Sequence, residues 1–363
     1  MNGKPDLTAL TSLRGIAAWY VVLYHIRMST TDILSPEALA IFSKGYLAVD
    51  FFFLLSGFVI WLSYRDRISE NGIAAIPSFL ARRFARIYPL HFAILCGAIV
   101  FALMLAATGR ASPQEFPIRE LPLHLLLIQN WGFTTDLNWN DPAWSISTET
   151  AAYLIFPLIV LAVDWRQVPT LTLLMLIGLL TLLLHNFFVA MDAPLLDSNI
   201  PQTGLVRCLL QFTMGTILCA LWLRWRDHPA KPALLAMAST ILAGVLGLTG
   251  MVAETLVVPL AFSGLLLTAA LTATMPRNPL TAAPLHYLGE VSYATYLSHF
   301  LLFVLFKILF VGENGQMGWA GLTGFLALTL IVSIGLYHAV ERPAQRFLNA
   351  RFDLLFARKA PAG

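Results

Sequence analysis

Apolar residues run along this chain in long stretches separated by short polar segments, a pattern that predicts membrane-spanning helices. A helix needs about 20 mostly apolar residues to cross the hydrocarbon core of a bilayer. We predict ten such spans, near residues 7–27, 45–64, 84–106, 143–163, 168–190, 204–223, 232–250, 254–275, 285–311 and 318–340. A further apolar piece at 121–131 is too short to cross, and it predicts an interfacial or re-entrant segment.

The composition supports this interpretation. Of the 363 residues, 58% are hydrophobic and only 12% are charged, whereas a soluble domain spends about a quarter of its residues on charge. The three cysteines lie in apolar runs without metal-ligand spacing, so we expect neither a disulfide framework nor a metal site. The fold class predicted is an all-α integral membrane protein with about ten transmembrane helices in one bundle.

Basic residues indicate the orientation of the spans. If the N-terminus is cytoplasmic, sixteen of the 23 lysines and arginines fall in cytoplasmic segments, and five fall in outer loops or at outer span ends. This bias predicts that both termini are cytoplasmic. The first span lacks a basic leader and a cleavage site, so we expect it to be retained. We expect one membrane domain over 1–363 without an appended soluble domain.

Two ionisable residues, Arg14 and His25, lie within the first predicted span. They are eleven residues apart, which places them on one helix face because eleven residues make three turns plus roughly 20°. Ionisable residues inside spans usually face the bundle interior or a water-filled cavity. The shared face favours a functional role over a structural ion pair, and histidine suits a general base near neutral pH.

Two carboxylates also fall in predicted spans. Asp50 opens the second span, where it either meets the helix N-terminal dipole or pairs with Arg14 or orients His25. The neighbouring Ser56-Gly57 is a pair of small residues that suits close helix packing. Glu149 lies deep in the fourth span, and a buried glutamate requires either a structural partner or a catalytic use.

Three arginines, Arg82, Arg83 and Arg86, cluster at the predicted cytoplasmic start of the third span. Positive residues at this position fix the topology of the loop. A guanidinium cluster also binds phosphate well, because its planar donors engage oxygen atoms in pairs. The sequence leaves both interpretations open.

Polar residues recur near the C-terminus and in the longest outer loop. Ser292, Tyr296 and His299 share one helix face, and Glu341 precedes a proline at a predicted helix end, where it either ends the helix or forms an ion pair. The outer loop at 107–142 and the helix start after it carry Trp131, Trp139 and Trp144 among Asn and Asp residues. These tryptophans suit a sugar-binding mouth, but an interfacial aromatic belt explains them equally well.

Together these segments resemble the acyltransferase 3 family, integral-membrane enzymes that acylate sugars on bacterial surface polysaccharides, lipid-linked glycans and some small glycosides. The resemblance covers nearly the whole chain. Six motifs in order carry it: "LRG" with His25 eleven residues after Arg14, "GYLAVDFFFLLSGFVI", "RRFARIYP", "WSISTE", "YLGEVSYATYLSHF" and the closing "VERP".

The resemblance implies that an acyl-CoA, with acetyl-CoA preferred, serves as co-substrate, and that no cofactor is permanently bound. It implies that Arg83 and Arg86 hold the donor phosphates and that His25 is the essential base. The expected partners are acyl-CoA, a carbohydrate or lipid-linked glycan acceptor and the lipid bilayer of the bacterial inner membrane. No nucleic-acid partner is expected.

These expectations combine into one mechanism, in which His25 deprotonates an acceptor hydroxyl that attacks the thioester. Asp50 or Glu149 is expected to fix the imidazole tautomer, and Arg14 to steady the donor or the oxyanion. The expected donor-binding residues are Arg14, Arg82, Arg83 and Arg86, and the possible acceptor or pocket residues are Trp144, Ser147, Tyr153, Tyr296 and His299. The alternatives are a proton-coupled transporter or flippase, with the same ionisable residues as a proton relay, and a non-catalytic membrane scaffold.

Overall fold

The computed structural model describes residues 7–110, 112–312 and 314–357, and these residues form helices without any strand. The helices in chain order are α1 (Thr8–Ile26), α2 (Pro36–Phe42), α3 (Ala48–Asn71), α4 (Ile76–Ala107), α5 (Leu121–Leu126), α6 (Ala143–Ala162), α7 (Thr170–Ala190), α8 (Ile200–Trp225), α9 (Ala230–Leu248), α10 (Glu254–Leu271), α11 (Ala283–Glu290), α12 (Ser292–Phe310), α13 (Trp319–Leu336) and α14 (Arg342–Ala357).

Each predicted span overlaps one long helix. Eight helical stretches of the described chain are long and apolar enough to cross a membrane, and one of them, 36–107, contains the second and third predicted spans. Helix α1 is not among the eight, although it matches the first prediction in length. Its polar residues reduce its hydropathy, and several of them face the protein interior rather than lipid. The helices support a multi-pass membrane protein.

Two predicted boundaries differ from the structure. The predicted span at 285–311 is divided at Val291 into α11 and α12. The last span does not end at Glu341, because α13 continues through a π-helical turn, Tyr337–Glu341, directly into α14. The prediction that Glu341 marks a helix terminus is therefore wrong, and its alternative, an ion pair, is confirmed below.

Glycines bring two pairs of helices into backbone contact. A Cβ atom on Gly57 of α3 would lie 1.9 Å from the carbonyl oxygen of Phe212 on α8, so only glycine fits there. This confirms the packing interpretation of Ser56-Gly57. A Cβ atom on Gly289 of α11 would lie 1.9 Å from the carbonyl oxygen of Thr11 on α1. Both contacts let the backbones of two neighbouring helices touch without a side chain between them.

The short apolar piece at 121–131 forms α5 and the turn that follows it, as its length predicted. Helix α5 is held to α4 by a hydrogen bond between His91 Nε2 and the carbonyl oxygen of His124, at 2.8 Å. The outer loop therefore packs back onto the bundle.

Candidate active site

A cavity of about 600 Å³ lies among α1, α3, α4, α6 and α12. It is lined by the first residues of α1, the middle of α3 and the first half of α4. The start of α1 and the start of α4 were predicted to lie towards the cytoplasm. The polar side chains that line the cavity are Arg14, Ser56, Arg83, Arg86, Ser145, Glu149, Tyr153, Ser292, Tyr293 and Tyr296, among others.

Arg14 forms part of the wall of this cavity. Its Nη2 donates to the carbonyl oxygen of Gly289 at 2.6 Å, and its Nε donates to Ser292 Oγ at 2.9 Å. The close approach of α1 and α11 at Gly15 and Gly289 makes these bonds possible. Within the described chain no carboxylate lies at ion-pair distance from Arg14. Its positive charge therefore faces the cavity without an acidic partner.

The three clustered arginines have different surroundings. Arg82 points away from the cavity and pairs with Asp353 at 2.6 Å, on the exposed surface of α14. Arg86 lines the cavity but forms an ion pair with Glu341. Arg83 lines the cavity and donates to Tyr64 Oη at 2.7 Å. Its Nε is buried without any hydrogen-bond partner, and the described residues give Arg83 no ion-pair partner.

Glu149 also lines the cavity, where its carboxylate accepts a hydrogen bond from Ser56 of α3. Tyr153, one turn further along α6, lies in the same wall and under the Arg83 guanidinium, 6.0 Å from ring centroid to Cζ. Glu149 and Tyr153 are four residues apart and therefore lie on the same face of α6. Glu149 is not hydrogen-bonded to His25, so the structure does not show the expected carboxylate–imidazole pair.

Asp50 does not meet Arg14 or His25, and that expectation is wrong. Its carboxylate instead accepts from Arg207 Nε at 2.8 Å and Nη2 at 2.5 Å, and from Gln211 Nε2 at 2.5 Å. Asp50 and Arg207 are both buried, on α3 and α8. The close packing of these helices determines the pairing. Arg207 was not predicted to belong to a buried pair, because its position in the chain places it among the basic residues of the outer side.

His25 is paired with His299 of α12. The His25 Nδ1 atom lies 3.0 Å from the carbonyl oxygen of Val21 and 3.1 Å from His299 Nε2. His299 Nδ1 lies 3.1 Å from the carbonyl oxygen of Thr295. Carbonyl oxygens only accept, so Nδ1 carries the proton in both rings and His299 Nε2 accepts from His25. The His25 Nε2 atom is then unprotonated and available as a base.

The cavity ends one helical turn before this histidine pair. On α12 the lining extends from Ser292 to Tyr296, and His299 follows three residues later. Tyr296 Oη and Ser145 Oγ share a hydrogen bond of 2.8 Å at this end of the cavity. The three residues of α12 that were predicted to share a face thus lead in order from the cavity to His25.

Trp144 and Ser147 lie outside the arginine-lined cavity. Trp144 packs edge-on against Phe53, and Ser147 Oγ accepts from the backbone N–H of Asn130 at 3.1 Å. Trp131 and Trp139 of the outer loop each donate their indole N–H to a carbonyl oxygen of the protein. These contacts hold the loop to the bundle.

One carboxylate near the outer end of α6, Asp141, was missed by the sequence analysis. It directly precedes Pro142, and burial raises its pKa to about 6. The motif "NWNDPAW" places this acid just after two asparagines, a polar cluster that could have drawn attention to it. The sequence alone does not show that the loop folds inward and buries the cluster.

The helices and the cavity together define a multi-pass membrane protein with an arginine-lined interior site. The chain belongs to the Acyltransferase domain family, whose model matches residues 7–338. It is therefore an acyltransferase, which decides against the transporter and scaffold alternatives. No solved structure matches the chain.

Two relatives show the range of the similarity. Acyltransferase MdmB of Streptomyces mycarofaciens is 34% identical, over 95% of this chain and 93% of that protein. Peptidoglycan O-acetyltransferase OatA of Listeria monocytogenes is 25% identical, over 82% of this chain and 49% of that protein. The chain thus spans about half the length of OatA.

Proposed function

We propose that this protein transfers an acyl group, preferably acetyl, from acyl-CoA to a hydroxyl group of a carbohydrate or glycoconjugate. The observation that carries the proposal is a histidine with a free Nε2, one helical turn beyond a cavity whose arginines include two without acidic partners. The name of the relative OatA, an O-acetyltransferase of peptidoglycan, supports oxygen as the acceptor atom and a glycan as the acceptor class.

The arginine-lined cavity is proposed to bind the donor. Arg83 is the best phosphate ligand of the cluster, because its Nε–H is buried and unpaired and a buried unpaired donor is costly. Arg86 also lines the cavity and contributes positive charge there, although it is paired with Glu341. Arg82 points away from the cavity. The pantetheine arm then extends along α12 towards Tyr296. The basic-residue bias supports a cytoplasmic entrance, both termini in the cytoplasm and a bacterial inner membrane.

His25 is proposed to act as the general base. Its Nε2 takes the proton of the acceptor hydroxyl as the oxygen attacks the thioester carbonyl carbon. The tetrahedral intermediate collapses with cleavage of the C–S bond, and the imidazolium returns the proton to the departing CoA thiolate. The products are an ester and free CoA. His299 takes the positioning role first assigned to a carboxylate, since its Nε2 accepts the Nδ1 proton of His25.

Arg14 and Glu149 are proposed to contact the donor near the reacting thioester. Both line the cavity, and Arg14 brings an unneutralised guanidinium that suits a developing oxyanion. The acceptor is proposed to approach His25 from the opposite side, because His25 is half-buried while His299 is fully buried.

A labelling assay tests the function. Membranes that contain the protein are incubated with radiolabelled acetyl-CoA, and the label is then sought in glycan and in lipid-linked sugar. We expect transfer in the wild type and none in His25→Ala at equal expression. Normal transfer by His25→Ala would contradict the scheme. Parallel reactions with succinyl-CoA and longer acyl-CoAs determine the preferred donor.

A further inference from the structure

A second, much smaller cavity lies under the outer loop, away from the arginine-lined cavity. Its volume is about 10 Å³, which is enough for a single ion or a single water molecule. Its polar lining comes from the outer loop and the first residues before α6: His124, Gln129, Asn130, Asp136, Asn140 and Asp141, together with further loop residues.

Three amides in this lining have buried oxygens that find no hydrogen-bond partner in the described part of the chain: Gln129 Oε1, Asn130 Oδ1 and Asn140 Oδ1. The side chains of Gln129, Asn130 and Asn140 are 4%, 1% and 4% exposed. Buried polar atoms are rarely left unpaired, so three around one small cavity require an explanation.

The orientation of these amides is fixed by their nitrogens. Gln129 Nε2 donates to the carbonyl oxygen of Ala143 at 3.2 Å, and Asn130 Nδ2 donates to that of Ile200 at 3.1 Å. Asn140 Nδ2 donates to the carbonyl oxygen of Leu297 on α12 at 2.9 Å. An amide flip would set oxygen against oxygen in each case, so the three oxygens remain the free ends.

Two carboxylates, Asp136 and Asp141, complete the lining. No side chain of the described residues donates a hydrogen bond to Asp141, and a half-buried carboxylate without a partner is destabilising. Among the described side chains, the Asp136 carboxylate accepts a hydrogen bond only from the neighbouring Thr135, at 2.7 Å. The Nδ1 atom of His124 is also buried and unpaired.

We infer that this cavity binds a divalent cation of the calcium type. A water molecule donates only two hydrogen bonds, which is too few for three amide oxygens and two carboxylates. Carboxylate and amide oxygens are the ligands that Ca²⁺ prefers, and two acidic groups balance its charge. Mg²⁺ keeps several of its waters, for which about 10 Å³ leaves no room.

This cation site differs from the sequence-based expectation of no metal. The described residues contain no group of three His, Cys, Asp or Glu side chains that could hold a metal ion. Amide oxygens supply more than half of the proposed protein ligands, and asparagines in a loop give no recognisable spacing. The bound cation would fix the outer loop against α12, because Asn140 bridges the two.

Terbium luminescence tests the site on the full-length protein in detergent. Trp144 lines the cavity and would sensitise a bound Tb³⁺ ion when its indole is excited. We expect sensitised emission that Ca²⁺ competes away and that Mg²⁺ and Na⁺ displace poorly. Asp141→Asn should weaken Ca²⁺ binding about tenfold or more, because a charged ligand is lost. Asp192→Asn, at an exposed acid outside the cavity, should bind like the wild type.

Thermal unfolding provides a second measurement that does not depend on terbium. The wild type should melt at a higher temperature in CaCl₂ than in EGTA, and Asp141→Asn should show a clearly smaller difference at the same calcium concentration, because its affinity is lower. In EGTA that variant should be at least as stable as the wild type, since it lacks an unpaired carboxylate. Equal emission from both variants, no calcium effect on wild-type melting, or an equal effect of Na⁺ alone would overturn the proposal.

Discussion

Replacing His299 by phenylalanine would remove the acceptor that holds the His25 proton on Nδ1. The hydrogen bond between the two rings is 3.1 Å long, and it becomes charge-assisted when His25 is protonated during the reaction. Such a bond contributes about 1.5–3 kcal/mol. The carbonyl oxygen of Val21, 3.0 Å from the same nitrogen, would still hold the proton. We therefore expect kcat to fall about 10- to 150-fold, since each 1.36 kcal/mol is tenfold.

The assay separates a positioning role from a packing role. Initial rates are measured with purified protein over a range of acetyl-CoA concentrations, so that kcat and the KM for the donor are obtained independently. The His299→Phe variant should lose kcat with little change in KM. His299→Gln should recover much of the loss, because its amide oxygen accepts near the position of the ring Nε2.

A second histidine, His185, serves as a control for the general effect of replacing a partly buried histidine by phenylalanine. His185 of α7 is half-buried and hydrogen-bonded to Thr255 of α10 at 2.7 Å, and it does not line the arginine-lined cavity, so His185→Phe should leave kcat unchanged. The reasoning is refuted if His299→Phe retains kcat within about threefold of the wild type, or if His299→Gln is as slow as His299→Phe.

Three further predictions concern the donor cavity and the helix contacts. Arg83→Ala should raise the KM for acetyl-CoA about tenfold or more. Arg82→Ala should leave the KM near the wild-type value, because Arg82 does not line the cavity and pairs with Asp353 instead; equal KM values for the two variants would assign both arginines to topology. Gly289→Ala should lower the melting temperature and the yield of folded protein in a detergent-based thermal assay, because its Cβ would clash with the backbone of α1; a wild-type melting curve would exclude the close contact. Asp50→Asn should destabilise by about 3–5 kcal/mol, and Asp50→Leu with Arg207→Met should recover most of that loss in equilibrium unfolding.

The long helices were predictable because the constraint behind them is local and strong. A bilayer requires about 20 consecutive apolar residues per span, so each long apolar helix could be predicted from its own segment of the chain. The break at Val291 and the π turn before α14 could not be found in this way. Both lie where the chain stays helical while its direction or register changes, and the apolar pattern continues across them.

Residues of the site could be predicted from the sequence, but which of their side chains contact each other could not. Helical periodicity places Arg14 and His25 on one face of α1, and the same reasoning places Tyr296 and His299 on one face of α12. Which side chains meet across helices depends on which backbones approach closely, and glycine contacts such as that of Gly57 determine this approach. Asp50 therefore meets Arg207, a partner that neither of the alternatives predicted for it had named.

The arginines of the interior fall into two sets, and the difference separates structural from functional roles. Asp50 with Arg207, and Arg86 with Glu341, neutralise each other inside the protein. Arg14 and Arg83 face a cavity without an acidic partner. Burying a charge without a partner costs free energy. An unpaired buried guanidinium group is therefore expected where a ligand of opposite charge binds to it. This cost makes the arginine-lined cavity, rather than the buried ion pairs, the place to expect an anionic donor.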